Sequence, residues 1–288
     1  MNKYLVILAG SPRGGERTYS SLYKRVCEYL SADLAICTSI DKVDEEISLF
    51  QKADYKWTLD IQDDFFKYYE KNFHGNWKEY FENGKGTGLY ESGSIHFVFK
   101  DFILKNYLDI LLKYEFIIYT RFDQYYIDNH ILGNENKILI PAGEDYFGIC
   151  DRHAVVPNKF ISQYLNICNF INSKEALTYK TNYLNCETAY LHHIKHEGLE
   201  QSIKRYPRTQ FTSALPEDTT NWRIPKYKIY FYKNLMIKYP DEFIDSFKNL
   251  TKSQKFLTAF SKDIALYINF IYLGFRRRLG SLKKTIDF

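Results

Sequence analysis

The chain is poor in cysteine for its length, and the five it has are scattered: Cys27, Cys37, Cys150, Cys168 and Cys186. No C-x-x-C spacing occurs, which argues against a disulfide framework or a cysteine-based zinc site and fits a reducing compartment. No run approaches the ~18 consecutive apolar residues of a membrane span. The opening run Tyr4–Ala9 is too short for a signal h-region and has no cleavage-like site. The expectation is a soluble, cytoplasmic chain without a transmembrane segment. A concentrated basic face is missing too. Lys and Arg number 39 against 35 Asp and Glu, a net charge of +4, so nucleic acid is not an expected partner. Two phosphate-loop patterns are also absent. From Gly10 the P-loop spacing reaches Gly15, but Glu16-Arg17 stands where Lys-Ser/Thr is needed, and there is no G-x-G-x-x-G.

What the chain has in excess is aromatic residues, at 18%, with 26 Tyr and 22 Phe among 288 residues. A compositional bias shared with Lys, Asn and Ile accounts for this; ring platforms for sugar or base stacking are the functional alternative. Hydrophobic content of 45% and charged content of 26% describe an ordinary globular protein with a full core.

The patterning predicts an α/β fold. Residues 4–9 read as a buried parallel strand, residues 18–30 as an amphipathic helix, and 33–37 as a second strand. An aromatic helical stretch over 62–82 and a helix over 92–113, capped by Ser92 or Ser94, follow. Strands are expected at 114–121, 137–141, 152–156 and 208–213, with helices over 158–172 and 186–197, the latter closed by Gly198. From Pro225 the pattern turns helical and Lys- and Tyr-rich. The organisation expected is a domain over 1–224 and a helical extension over 225–288 packed on it.

Three segments fall where an α/β sheet places its ligands, at the carboxyl ends of strands. In the first, Gly10-Ser11-Pro12-Arg13-Gly14-Gly15, the glycines let the backbone approach a phosphate and Arg13 can neutralise it. The second is Arg121-Phe122-Asp123, delivered by Phe116–Tyr119. Asp-x-Asp at such a point holds Mn²⁺ or Mg²⁺ against a diphosphate; here Asp123 remains as a metal ligand and Arg121 can take part of the cation's role. The third is the acidic cluster Glu144, Asp145 and Asp151, with Arg152 and His153 directly after it. Like charges held this close suit a ligand site, and Asp151, then Asp145, is the expected base for an acceptor hydroxyl. Glu187 caps the helix that starts there or points into the cleft. His192, His193 and His196 lack a His-Glu-x-x-His pattern, so zinc is not expected. Arg276–Arg278 reads as a solvated face, or as a contact with a membrane surface.

With these segments in order, the chain resembles the glycosyltransferases of chloroviruses and other large DNA viruses, and more distantly bacterial capsule-synthesis relatives. The matching stretches are Gly10–Glu16 with Ser21-Leu22-Tyr23, Ala32–Ala35, Gly88–Ile95, Tyr119–Tyr126 and Ile140–His153. The resemblance implies a GT-A-like Rossmann-type mixed sheet flanked by helices. It implies transfer of a sugar from a nucleoside diphosphate, such as UDP-xylose or a UDP-rhamnose-type donor, to a growing glycan, which in viral members decorates the capsid. Carried over by position, Gly10, Ser11, Arg13, Gly14, Gly15, Asp33, Ser94, Arg121 and Asp123 would meet the donor. Asp123 would hold the divalent cation. Glu144, Tyr146, Arg152, His153 and Glu187 would face the acceptor beside Asp151. Two other readings stand beside this one: a sulfotransferase-like or other nucleotide-phosphate enzyme, since Gly10–Gly15 faintly echoes a phosphosulfate loop, and a non-catalytic glycan-binding protein.

Overall fold

The structure, a computed structural model, describes residues 2–61, 65–179, 181, 183–218, 230, 231, 235–260 and 264–286, with the backbone alone at 91, 92, 230, 231 and 281–286. The strands are β1 (Tyr4–Ala9), β2 (Asp33–Ser39), β3 (Tyr55–Leu59), β4 (Phe116–Thr120), β5 (Gln124–Tyr126), β6 (Ile138–Pro141), β7 (Ala154–Pro157), β8 (Ile203–Tyr206), β9 (Gln210–Ala214), β10 (Tyr230–Phe231) and β11 (Leu235–Ile237). The helices are α1 (Gly15–Leu22), α2 (Glu28–Leu30), α3 (Ser48–Lys52), α4 (Phe65–Asn72), α5 (Trp77–Glu82), α6 (Ser94–Leu111), α7 (Ile161–Leu165), α8 (Ile167–Asn172), α9 (Cys186–His196), α10 (Pro240–Lys248), α11 (Lys252–Phe260) and α12 (Ile264–Ile286).

The chain forms two compact units. The larger takes residues 1–12, 27–122 and 131–206. Its seven-stranded sheet runs β3-β2-β1-β4-β7-β6-β8 and is flanked by helices, a mixed α/β architecture consistent with a GT-A-like Rossmann fold. All pairings are parallel except those of β7, which runs antiparallel to β4 and β6. Residues 4–9 of β1 are buried on both faces, which explains why the run is apolar without alternation. The aromatic excess fills this core. Tyr69 stacks on Trp77 at 5.2 Å, Trp57 stacks on Tyr107 at 4.4 Å, and Tyr80, Phe81, Phe97, Tyr164 and Tyr190 are fully buried.

The smaller unit takes residues 13–26, 123–130 and the chain from Pro207. Its four-stranded sheet runs β10-β11-β9-β5, with β5 and β11 both antiparallel to β9. Phe211, Ile237, Phe243 and Phe247 form its core together with Leu266 and Leu273 of α12. A boundary at residue 225 falls inside this unit, and β10 and β11 lie in a region whose pattern reads as helical. Leu235-Met236-Ile237 is a buried apolar triplet that pairs in the sheet despite its Lys- and Tyr-rich surroundings.

Several boundaries move for local reasons. The helix expected over 18–30 starts at Gly15, passes through one π turn at Tyr23–Cys27 and ends as α2. The stretch over 62–82 divides into α4 and α5 around Gly75, whose amide donates to Asn172 Oδ1 at 2.7 Å; residues 62–64 lie outside the described residues. Ser94 is already inside α6, and the N-cap position is Gly93, with no side-chain cap bond.

Candidate active site

In the larger unit, β1, β4, β6 and β8 all end on one edge of the sheet. Because β7 is antiparallel, it begins on that edge: Ala154 is paired with Tyr119. The edge therefore gathers Gly10, Arg121, the loop 142–153 and Tyr206. Asp33 does not lie there. It opens β2 opposite Leu5, while Cys37 is opposite Ala9. Four residues at ~3.3 Å each put Asp33 ~13 Å from the carboxyl edge. Its carboxylate accepts bonds from Tyr114 Oη and Asn2 Nδ2, both at 2.6 Å. The nucleotide contact expected of Asp33 is corrected accordingly: the residue anchors the opposite end of the strand.

The loop is held in an unusual backbone. Gly143 (φ 87°), Glu144 (57°), Tyr146 (41°) and Phe147 (72°) all lie in the left-handed region. The three that are not glycine cost ~1–3 kcal/mol each, a strain that persists only where contacts fix it. The contacts here do. Arg152 donates to the Glu144 carbonyl at 3.4 Å and lies 3.8 Å from its carboxylate, which also accepts the Tyr146 hydroxyl. Asp145 accepts from the Cys150 amide at 3.0 Å and pairs with Arg205 at 2.8 Å. Asn185, the N-cap of α9, accepts from the Thr188 amide and donates to the Tyr146 carbonyl, both at 2.8 Å. The Ile149 amide reaches the Glu187 carbonyl at 3.0 Å. Gly148 is required there, since a Cβ would stand 2.0 Å from that carbonyl oxygen.

Two carboxylates share this arrangement, Asp151 buried and Glu187 half-buried. Asp151 is 4% exposed. Glu187 lies in the first turn of α9, and burial followed by the negative charge of Asp151 pushes its carboxyl up to about 8, against the pull of Arg152. Glu187 does not cap α9; Asn185 does. Beneath Asp151 lies Lys100 of α6. Its Nζ donates to the Asp151 carbonyl at 3.1 Å and sits 4.0 Å from the Tyr190 ring centre and 4.8 Å from that of Tyr119. Burial lowers this ammonium to about 8, and the charge of Asp151 opposes the shift. His153 Nδ1 meets Thr120 Oγ1 at 2.9 Å. Lys100 was not among the residues that the sequence singled out. Its signal was a lone cation in the apolar run Phe97-Val98-Phe99, three residues after Phe97 on the buried face. Phe147, which follows the acidic pair, is 85% exposed.

The smaller unit brings together Gly14, Gly15, Asp123 and Asp218. Gly14 (φ 91°) and Gly15 (φ 70°) open α1, and a Cβ on Gly14 would meet the Asp123 Cα at 3.2 Å. The Gly14 amide, expected to face a phosphate, donates instead to Asp218 Oδ2 at 3.0 Å, and the Leu215 amide donates to the same oxygen at 2.7 Å. Burial raises the Asp218 carboxyl; Asp123 adds to this and Arg13 opposes it. Asp123 is buried, and its carbonyl accepts the Ser213 amide at 2.8 Å. Among the described residues no three His, Cys, Asp or Glu side chains converge on a cation site. Among those residues Asp123 does not stand in a group of three such ligands for Mn²⁺ or Mg²⁺. His192 and His193 sit in aromatic surroundings, lowered by burial to about 4 and about 3.

No protein-family model and no curated protein matches the chain. A solved structure titled "PaToxG Glycosyltransferase" is similar over 70% of this chain and 72% of its own, at 13% identity and a TM-score of 0.36. At that score the likeness carries no argument about this chain.

Proposed function

We propose that the chain is a glycosyltransferase that moves a sugar from a nucleoside diphosphate, a UDP-sugar in the first instance, to a hydroxyl of a growing glycan. The observation that carries this reading is the buried Asp151 carboxylate paired with the half-buried Glu187, beside Arg152 on the carboxyl edge of the large sheet. The acceptor oxygen attacks the anomeric carbon, the bond from that carbon to the diphosphate oxygen breaks, and the electron pair leaves with the diphosphate. The hydroxyl proton passes to the Asp151 carboxylate, and attack from the face opposite the leaving group inverts the anomeric centre. Partial burial and the charge of Asp151 favour the protonated form of Glu187, which keeps the pair from carrying two adjacent negative charges. Lys100 holds the Asp151 backbone from below.

Arg121, Gly10 and Ser11 are the proposed donor contacts of this edge, with Arg121 as counter-charge to the leaving diphosphate. A divalent cation is a separate part of the proposal, through Asp123 of the smaller unit. Phe147 offers an exposed ring to the acceptor, and a sugar face stacks on such a ring. A viral capsid glycan as acceptor follows from the sequence resemblance only.

The test is Asp151→Asn in a transfer assay with UDP-sugars. Loss of ~10²–10⁴ in rate with an unchanged melting curve is expected. Full transfer by a normally folded variant removes Asp151 as the base. A thermal-shift screen of UDP, GDP, ADP and TDP with and without Mn²⁺ identifies the donor class. No response to any nucleotide would favour the glycan-binding reading.

A further inference from the structure

Each of the last two helices of the smaller unit leaves apolar side chains uncovered. Along α12, Ile264, Ile268, Ile271, Tyr272, Phe275 and Leu279 are 43–62% exposed. At ~100° per residue these six fall in one arc of ~100°, which runs ~22 Å along the helix. The opposite face does the packing: Leu266 and Leu273 are buried, and Phe270 stacks on Phe247 of α10 at 4.6 Å. In α11, Phe256, Leu257 and Phe260 are 63%, 66% and 79% exposed. An uncovered apolar area of this extent marks an interaction surface.

The charges beside the stripe narrow the partner. Arg277, also exposed, lies on the side of the helix away from the arc, 3.7 Å from Asp241 of α10. Arg276 and Arg278, both exposed, fall ~40° and ~20° beyond the two margins of the arc, one on each side. Together α11 and α12 carry seven Lys and Arg and no Asp or Glu. A second copy of this face would set like charges against like, whereas anionic lipid headgroups would attract them. Among the described residues no single helix is long and apolar enough to cross a membrane.

We propose that α11 and α12 form an interfacial anchor that lies in the plane of an anionic bilayer, with the apolar arc at the level of the acyl chains and Arg276 and Arg278 among the headgroups. The arrangement matches the requirements for a surface-bound amphipathic helix: a wide apolar face, basic flanks and no acid. It holds whatever reaction the larger unit performs.

The full chain should sediment with vesicles of phosphatidylcholine containing phosphatidylglycerol and not with phosphatidylcholine alone, and added salt should release it. Ile268→Glu with Phe275→Glu should abolish binding. Both residues are exposed, so circular dichroism and the melting curve should stay as they are. Arg276→Gln and Arg278→Gln should each lower vesicle affinity about fivefold. The proposal falls if the chain ignores anionic vesicles, or if the double glutamate variant binds them as well as the native chain. A concentration-dependent dimer that this variant dissolves, without vesicle binding, would assign the face to a second copy and overturn it as well.

Discussion

Replacing Glu187 by glutamine isolates the acid pair in a single measurement. The glutamine has the shape of the protonated acid and cannot ionise. In the native protein the carboxyl is raised from its ordinary value of 4.5 to about 8, by burial first and by Asp151 second. Between those two pH values the folded chain keeps a proton that the unfolded chain has released. The stabilising effect of that proton is fully present below pH 4.5 and is lost as pH rises through 8. At ~1.4 kcal/mol per pH unit the window spans at most ~5 kcal/mol. Urea unfolding of both proteins from pH 5 to 9, compared at equal m-values, gives the difference directly. The variant should lie within about 1 kcal/mol of the native chain at the acid end and exceed it by ~2–5 kcal/mol at the alkaline end. Parallel curves across the range would refute the claim that Glu187 is partly buried against a second negative charge.

Three further substitutions probe other parts of the account. Gly148→Ala puts a Cβ 2.0 Å from the Glu187 carbonyl, so it should destabilise at or above the upper end of ~1–3 kcal/mol, read from the melting temperature. Glu242→Gln leaves Arg208 buried without its counter-charge, now at 2.9 Å, and should cost ~3–5 kcal/mol by denaturant titration. Phe147→Ala removes an exposed ring and should leave stability within ~0.5 kcal/mol. It should raise the acceptor KM about two- to tenfold with kcat unchanged, the ~0.5–1.5 kcal/mol of a stacking contact.

Five strands of the large sheet, β1, β2, β4, β6 and β7, were legible because burial on both faces writes them as nearly unbroken apolar runs; β3 and β8, partly exposed and interrupted by Lys56 and by Lys204-Arg205, were not read. Val6-Ile7-Leu8 and Phe116-Ile117-Ile118 are examples. The carboxyl-edge loop was legible from its crowding of acids next to Arg152. Asp33 was misplaced because a strand's sequence does not show which of its ends meets a ligand; only the register with β1 decides that. Lys100 escaped because a lone cation in an apolar helix reads as exposed until the surrounding rings are in place. The short strands β10 and β11 hold two and three residues, too few for a period to register against the Lys and Tyr around them. The phosphate contact expected of Gly14 depended on what its amide would meet. That partner, Asp218, lies 204 residues away in the sequence.

Gly148 has a consequence for recognition. The loop 143–153 is fastened to the start of α9 through the Tyr146 carbonyl and the Ile149 amide, and Gly148 is pressed against the same turn. Its left-handed residues are therefore fixed before any ligand arrives. An incoming molecule does not have to freeze a floppy segment, so little conformational entropy is lost on association, and selectivity comes from a mould already cast. The same fastening means that loop and helix can move only together. Tolerance for differently shaped ligands must then come from side chains at the rim, Phe147 foremost, and not from the backbone.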